Sequence, residues 1–557
     1  MLRAVGLVAA GTLLLAQEPI RVNTRLVEVN VVVRNGHGAV GGLNKSDFKV
    51  FDKGKERPIA LFTAVTSDRA GAGAPAQKSA TPEPLPPGVF TNRPETPDAN
   101  PISTAVLLVD VLNTELRDQQ GARKQMLKYI ASMDPSASPR RVAIYVLTAG
   151  IRVLQDFTDD PAVLKRAVTK YQGEGSALLR GATEQTPYSD DADMATDATI
   201  AGMRESFNEM HDFHQVDRAQ TTAKALEQIA THLARVPGRK TLIWLSGSFP
   251  FYLINDERHS SLASNREERT FNDEINQAVK ALSAANIAIY PVDARGLIGM
   301  PAWDPANPPD PIEVPKQGKT SRYEAFGKAG NGQLGTMSVD MPDGIETMKD
   351  LADGTGGRAF YNNNDLQSAI GKAMEDAQVS YMIGFYASDP PDEAFHEIKV
   401  KVDRPGVEAR YRSGYFSTAA KAPGEMDRMA IMRDATASAL DATEIGLLAS
   451  IARVEEPAGA LHVLLKMDLG DFALENRNGR WTGAADINFV GQAADGTAVA
   501  LASKTITFDL TNEVYLARKR DGVFLEQTMA ANPKVNRVKV VVLDHQSGAV
   551  GSVLLRP

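Results

Sequence analysis

Residues 104–114 read Thr-Ala-Val-Leu-Leu-Val-Asp-Val-Leu-Asn-Thr. Thr104 to Val109 are apolar or β-branched with no polar alternation, the pattern of a strand covered on both faces. The run closes on Asp110, which sets a carboxylate at the strand's carboxyl end. Working outward, Arg117 to Met133 carries Met126, Leu127, Ile130 and Met133 at helical spacing. Arg141–Leu147 and Ile151–Phe157 read as strands, and Pro161–Tyr171 and Ala219–Val236 as helices. Lys240–Ser246 is a second buried strand, followed by a helix over 267–285, a strand over Ile287–Asp293, a helix over Ile345–Ala352 and a strand over Gly357–Tyr361. Asp365 caps a last helix that runs to about Val379. Repeated βα units predict a doubly wound, mostly parallel Rossmann-like sheet over 102–379, whose ligands sit outside the strands' carboxyl ends. Insertions at 172–217 and 296–344 interrupt it, and the second directly follows a strand.

The flanks read as β structure. Leu26, Val27, Val29, Val31 and Val33 are apolar within Arg25–Val33, and Phe48–Phe51 and Pro58–Val65 surround the turn Asp52-Lys53-Gly54-Lys55. Three short strands cannot close a sandwich alone, so residues 21–66 are expected to pair with 380–417 as one split β-sandwich into which the α/β domain is inserted. A Pro-rich linker over 67–101 holds only Leu85, Val89 and Phe90 as large apolar residues. Residues 425–557 carry about six strand patterns and are expected to form a second β-sandwich.

Composition narrows the function. The 557 residues are 43% hydrophobic and 23% charged, with 61 Lys and Arg against 69 Asp and Glu for a net charge of -8. That balance excludes a chain that lives on nucleic-acid phosphates. The absence of cysteine removes thiolate zinc sites, iron–sulfur clusters, thiol catalysis and disulfides together. Arg3 followed by the uncharged run Ala4–Ala16 fits a secretory signal over 1–17, and no later segment has the length of a transmembrane helix. A secreted or periplasmic chain is expected.

At this point the residues meet a family. The stretch Ala105 to Thr114, the block Pro237-Gly238-Arg239-Lys240-Thr241-Leu242-Ile243-Trp244-Leu245-Ser246-Gly247-Ser248-Phe249-Pro250, Leu351 to Arg358 and Tyr381 to Tyr386 resemble a von Willebrand factor A-type domain. They are more closely similar to the VWFA-related proteins described from acidobacteria, over roughly residues 20–420. The resemblance implies a divalent cation such as Mg²⁺ held by an Asp-x-Ser-x-Ser loop, a Thr and a further Asp, with a partner's acidic group completing the coordination. Asp110 and Thr114 match the first loop's ends, but Leu112 stands at its middle ligand. Ser246-Gly247-Ser248 replaces the further Asp, Thr221 or Thr222 matches the Thr, and Asp293 is the remaining carboxylate. A degenerate site that binds a cation weakly or not at all is expected, with Asn113, Ser246 and Ser248 as partner contacts.

Other patterns fall short. Glu313 to Thr320 lacks the first glycine of a phosphate loop, and Gly330 to Gly335 matches a dinucleotide pattern with no preceding strand. His211 and His214 lie three apart on a helix with Glu209 or Asp212 nearby, but two histidines do not make a site and the other six are scattered. Asp190, Asp191, Asp193 and Asp197 miss calcium-loop spacing. Ser246 and Ser248 lack the Gly-x-Ser-x-Gly elbow. The expectation is a non-enzymatic, exported binding or adhesion protein that engages a protein or glycan. A hydrolase or metalloenzyme and a structural envelope component are the alternatives.

Overall fold

The computed structural model describes residues 25–36, 38–66, 85–93, 103–134, 140–183, 197–250, 272–297, 344–387, 391–392, 394–417, 421–454, 459–494, 497–530 and 534–557. The leader at 1–17, the stretches 313–320 and 330–335, and Asp190, Asp191 and Asp193 lie outside the described residues. Alternation decides the first strands. β1 (Arg25–Asn35) turns Val27, Val29, Val31 and Val33 into one buried row, as a period of two requires. β2 (Gly38–Ala39), β3 (Phe48–Asp52), β4 (Lys55–Arg57) and β5 (Ile59–Thr66) follow, and β6 (Val89–Thr91) arises within the Pro-rich stretch.

The central unit comprises β7 (Ser103–Asp110), α1 (Leu116–Ala131), β8 (Arg140–Leu147), β9 (Ile151–Thr158), α2 (Pro161–Lys170), α3 (Ala177–Thr183), α4 (Asp197–Leu233), β10 (Lys240–Ser246), α5 (Asn272–Ala284), β11 (Ile287–Asp293), α6 (Ile345–Thr355) and α7 (Leu366–Asp376). Its sheet runs β11-β10-β7-β8-β9, parallel except for β9, which returns antiparallel beside β8. All eight residues of β7 are buried. Val106 and Leu108 pack in one core with α4, α5 and α6, while Ala105, Leu107 and Val109 pack in the other with α1, α2 and α7. Each such Leu or Val contributes about 1.5–3 kcal/mol on burial, which is why this strand carries no polar alternation. Chain order reverses between β7 and β10, so their carboxyl ends form the crevice of the sheet.

Two expectations in this unit are corrected. α4 runs unbroken from Asp197, so nearly the last half of the stretch 172–217 is helix continuous with the core-packing turn at Ala219. Gly357–Tyr361 is not a strand; Phe360 makes a single parallel bridge with Val292, and Asn362 turns the chain at φ 51°.

β12 (Val379–Ala387), β13 (Phe395–Val402), β14 (Glu408–Arg410) and β15 (Gly414–Phe416) return to the first strands. β12 lies antiparallel between β1 and β5, and β13 between β3 and β15. The two sheets share one core built on Val29, Val31, Phe48, Val50, Tyr381, Ile383, Phe385 and Ile398. The single strand expected over 408–415 is two, because Ser413 leaves the sheet to donate its amide to the Asp353 carbonyl at 2.9 Å.

The remainder consists of α8 (Glu425–Ala437), β16 (Leu447–Val454), β17 (Ala460–Met467), β18 (Glu475–Arg477), β19 (Arg480–Ala493), β20 (Ala498–Thr511), α9 (Asn512–Asp521), β21 (Val523–Met529), β22 (Val535–Asp544) and β23 (Val550–Leu555). One sheet is ordered β21-β17-β16-β6 and the other β18-β19-β22-β23, with β20 also on β19. Val463, Leu465, Ile487, Phe489, Val540 and Val542 fill the core between them. The linker is thus not structureless throughout: β6 adds an edge strand to this sheet, and Asn92 locks it by donating to the carbonyls of Ala442 and Ile445 and accepting from the Leu447 amide at 2.7 Å. Among the described residues no helix is long and apolar enough to cross a membrane.

Candidate functional site

The crevice gathers side chains from three elements. β7 ends on Asp110, which is fully buried. Its Oδ1 accepts the Asn113 amide at 2.9 Å, and its Oδ2 accepts from Asn113 Nδ2 at 2.9 Å and Trp244 Nε1 at 3.0 Å. Ser246 Oγ, at the end of β10, lies 2.7 Å from Oδ2 and 2.6 Å from the Ser248 carbonyl. Burial pushes the Asp110 carboxyl above its usual range, against the donors from Asn113, Ser246 and Trp244 that pull it down.

Asn113 is the hub. Its Nδ2 also donates to Thr222 Oγ1 at 2.9 Å, and its Oδ1 accepts from Arg218 Nε at 2.9 Å. Thr222 Oγ1 donates to the Arg218 carbonyl at 2.8 Å, and Arg218 Nη2 donates to Ser248 Oγ at 2.9 Å. Arg218 and Thr222 are four apart on α4 and share a face, which brings both to the crevice. Arg218 is only 3% exposed, and burial lowers its pKa to about 10 although Asp110 opposes the shift. Thr114 Oγ1 accepts the Gly247 amide at 2.8 Å. A Cβ at Gly247 would sit 3.2 Å from Thr114 Cγ2 and 3.3 Å from its Cα, a tight contact that Thr114 would have to ease by a few tenths of an ångström.

Of the expected cation ligands, Asp110 and Thr222 meet through Asn113, while Thr114 is held on Gly247. Thr221 makes no hydrogen bond with this network. Asp293 stands at the end of β11 opposite Ser246, but its two oxygens are taken by the Arg295 guanidinium at 3.0 and 2.9 Å. A hard cation wants about six oxygens, which for Mg²⁺ means one or two free carboxylates completed by waters. Here one carboxylate is occupied by four donors, Leu112 offers no oxygen, and the neighbouring charge is a guanidinium. These residues do not fit a divalent cation. The three proposed partner contacts, Asn113, Ser246 and Ser248, do converge on this network. Sequence reading missed Arg218 and Trp244, and the four-residue spacing of Arg218 from Thr222 was the available signal.

Catalytic chemistry finds little here. Ser246 is bonded to a carboxylate and a carbonyl, and Ser248 accepts from a guanidinium, which cannot serve as a base. Among the described residues no group of three His, Cys, Asp or Glu could hold a metal ion. The Pro237–Lys240 block lies at the opposite end of the sheet. There Arg239 Nη2 donates to the Gly356 carbonyl at 2.7 Å and Lys240 Nζ to the Val236 carbonyl at 2.6 Å, so this block braces the fold.

Fold and crevice define a doubly wound α/β domain with a switch-point site, carried among β-rich parts. No protein-family model matches the chain, and no curated protein matches it. Among solved structures, an aerotolerance-related membrane protein from Bacteroides fragilis NCTC 9343 is similar over 49% of this chain and 98% of its own, at 14% identity and TM-score 0.24. BatB from Bacteroides thetaiotaomicron is similar over 49% and 98%, at 13% identity and TM-score 0.22. A von Willebrand factor type A protein from Catenulispora acidiphila is similar over 91% and 75%, at 10% identity and TM-score 0.24. Scores this low leave the functional reading with this chain's own residues.

Proposed function

We propose that the chain is an exported, non-enzymatic binding protein of A-type-like architecture that engages a partner at the carboxyl-end face of its parallel sheet. One observation carries this reading. The crevice where such folds place ligands holds an arginine, an asparagine and serines in a connected network, with no nucleophile–base pair among the described residues. The test uses the full mature chain and a Ser248→Trp variant, which walls off the crevice. Both are passed over glycan arrays and displayed proteins of the source cell's surface, and in parallel over ester, peptide and phosphoester substrates. Selective retention lost in Ser248→Trp is expected. Turnover lost in Ser246→Ala would replace this reading with a hydrolase.

A structural envelope role is favoured by a different observation. The end of α4 is bonded firmly to the C-terminal part: Thr443 donates to the Thr231 carbonyl at 3.2 Å, His232 Nδ1 to the Asp441 carbonyl at 2.7 Å, and Arg235 pairs with Asp471. Leu440 also enters the α/β core. Retention by no soluble partner, with the chain fixed in the envelope fraction, would select that role.

A further inference from the structure

Sheet edges are where a fold meets other chains. An edge strand presents unpaired amides and carbonyls, and folded proteins guard it by keeping it short, charging it or covering it. Among the described residues nearly every edge is guarded in one of these ways. β2 has two residues, and β4, β6, β14, β15 and β18 have three each. β9 carries Arg152 and Asp156, β20 carries Lys504 and Asp509, and β21 carries Glu526. β11 is covered by Phe360, whose carbonyl accepts the Asp293 amide at 2.9 Å and whose amide donates to the Pro291 carbonyl at 2.8 Å. β23 is covered by the segment before β16: the Ile445 amide donates to the Val550 carbonyl at 3.2 Å, and the Ser552 amide to the Ala442 carbonyl at 2.9 Å.

β5 is the exception. It reads Ile59-Ala60-Leu61-Phe62-Thr63-Ala64-Val65-Thr66, eight residues with no charge and no proline. One side pairs with β12, while the other ends the path β14-β1-β12-β5 and pairs with no strand among the described residues. A bulge at Ala60 disturbs only its start, and Leu61 to Thr66 run in regular register against Gly384 to Val379. A groove of about 700 Å³, with Phe48, Ile59 and Phe62 in its wall, lies open beside its first half.

The pattern of β5 fits itself. Phe62 and Ala64 stand opposite Ile383 and Tyr381 of the core, so they face inward, and Leu61, Thr63 and Val65 face outward. Directly opposed residues of an antiparallel pair lie on one face. A two-fold axis at Thr63 therefore sets Thr63 against its own copy, Leu61 against Val65, and Phe62 against Ala64. These pairs are hydroxyl on hydroxyl, apolar on apolar and large on small. A charge beside such an axis would meet its like, and β5 has none.

We propose that β5 is a homodimer interface, at which two copies of this chain pair antiparallel about a two-fold axis at Thr63. The path β14-β1-β12-β5 then runs on into β5-β12-β1-β14 of the second copy. The contact is isologous and closes both open edges, and assembly stops at two because the other edges are guarded. It lies in the first β part and does not depend on the reading of the crevice.

The test is sedimentation velocity of the full mature chain over a wide range of concentration. A reversible monomer–dimer equilibrium is expected. Thr63→Lys and Thr63→Asp each set like charges at the axis and should weaken the dimer by about tenfold or more, whereas an equimolar mixture of the two should restore it as Lys meets Asp. Thr63 is exposed, so both variants are expected to keep the melting temperature of the monomer. On the unmutated chain, the amides of residues 61–65 should exchange more slowly as concentration rises, a readout that needs no variant to fold. A chain that stays monomeric, a dimer untouched by either variant, or a mixture that fails to restore it would overturn the proposal. Slow exchange at 61–65 that ignores concentration would assign the edge to another segment of the same chain and overturn it as well.

Discussion

Lys240 shows how a single buried charge serves the fold. It is buried, its Nζ donates to the Val236 carbonyl, and burial lowers its pKa to about 8 from the ordinary 10.5. Between those two values the unfolded chain holds a proton that the folded chain does not, so this residue's contribution to stability rises with pH through the window and is lowest below it. Lys240→Met is expected to be neutral or to stabilise by up to about 2 kcal/mol near neutral pH. The gain over the natural chain should shrink as pH rises toward about 10, read by thermal unfolding of the full chain at a series of pH values. A gain that stays constant with pH would mean that Lys240 is not buried as a charge. At the crevice the legible residues were those at strand ends: Asp110, Thr114 and Ser246 close or follow apolar runs. Arg218 was not legible, because a lone arginine on a long helix is ordinary until the helix's rotation is known. The pairing of Asp293 with Arg295 was not legible for the same reason, since it could be seen only once the backbone had turned.

Elements that bury a face announced themselves, and elements that bury little did not. β7, β10 and β11 are buried throughout, and each reads as an apolar run. α8 buries only Met432 and α9 buries nothing, so neither has an apolar stripe to read. β6 was masked by prolines: its three residues could be a strand only because β16 presents an open edge. Asn92 holds that edge strand by three side-chain bonds. Asn92→Ala leaves two carbonyls and an amide without these partners, which should cost about 2–4 kcal/mol. The expected readout is faster hydrogen exchange at residues 89–92 and at Leu447, together with a lower melting temperature. Unchanged exchange at Leu447 would show that β6 is not locked by this side chain.

At the scale of the molecule, the three parts meet through helix ends and buried polar groups. Arg34 pairs with Asp376 of α7, and Tyr290 Oη donates to the other Asp376 oxygen at 3.2 Å, which fastens the first β part to the central sheet. On the other side His232 sits between the Tyr145 ring and the Asp441 carbonyl. Burial lowers its pKa from 6.5, against the Asp441 carbonyl bond that raises it. Below 6.5 the unfolded or separated state takes a proton that the docked imidazole refuses, so docking weakens as pH falls through that value and on to the lowered one. Small-angle scattering of the full chain should show the C-terminal part loosening on acidification from about pH 7 to about pH 5, with much less change in His232→Gln. Equal loosening in both would assign the effect to other groups.

The sequence by itself determined the local physics: which runs are buried on two faces, which alternate, where a carboxylate ends a strand, and that no thiol chemistry exists. Those are properties of neighbours along the chain, and the hydrophobic effect writes them into composition and period. Only the tertiary structure decided that β1 lies against β12, that residues 89–91 belong to a sheet whose next strand begins at Leu447, and that Arg218 enters the crevice beside Asp110. Each is a contact between residues about a hundred or more apart, where closure entropy is met by packing and hydrogen bonds that no local pattern encodes.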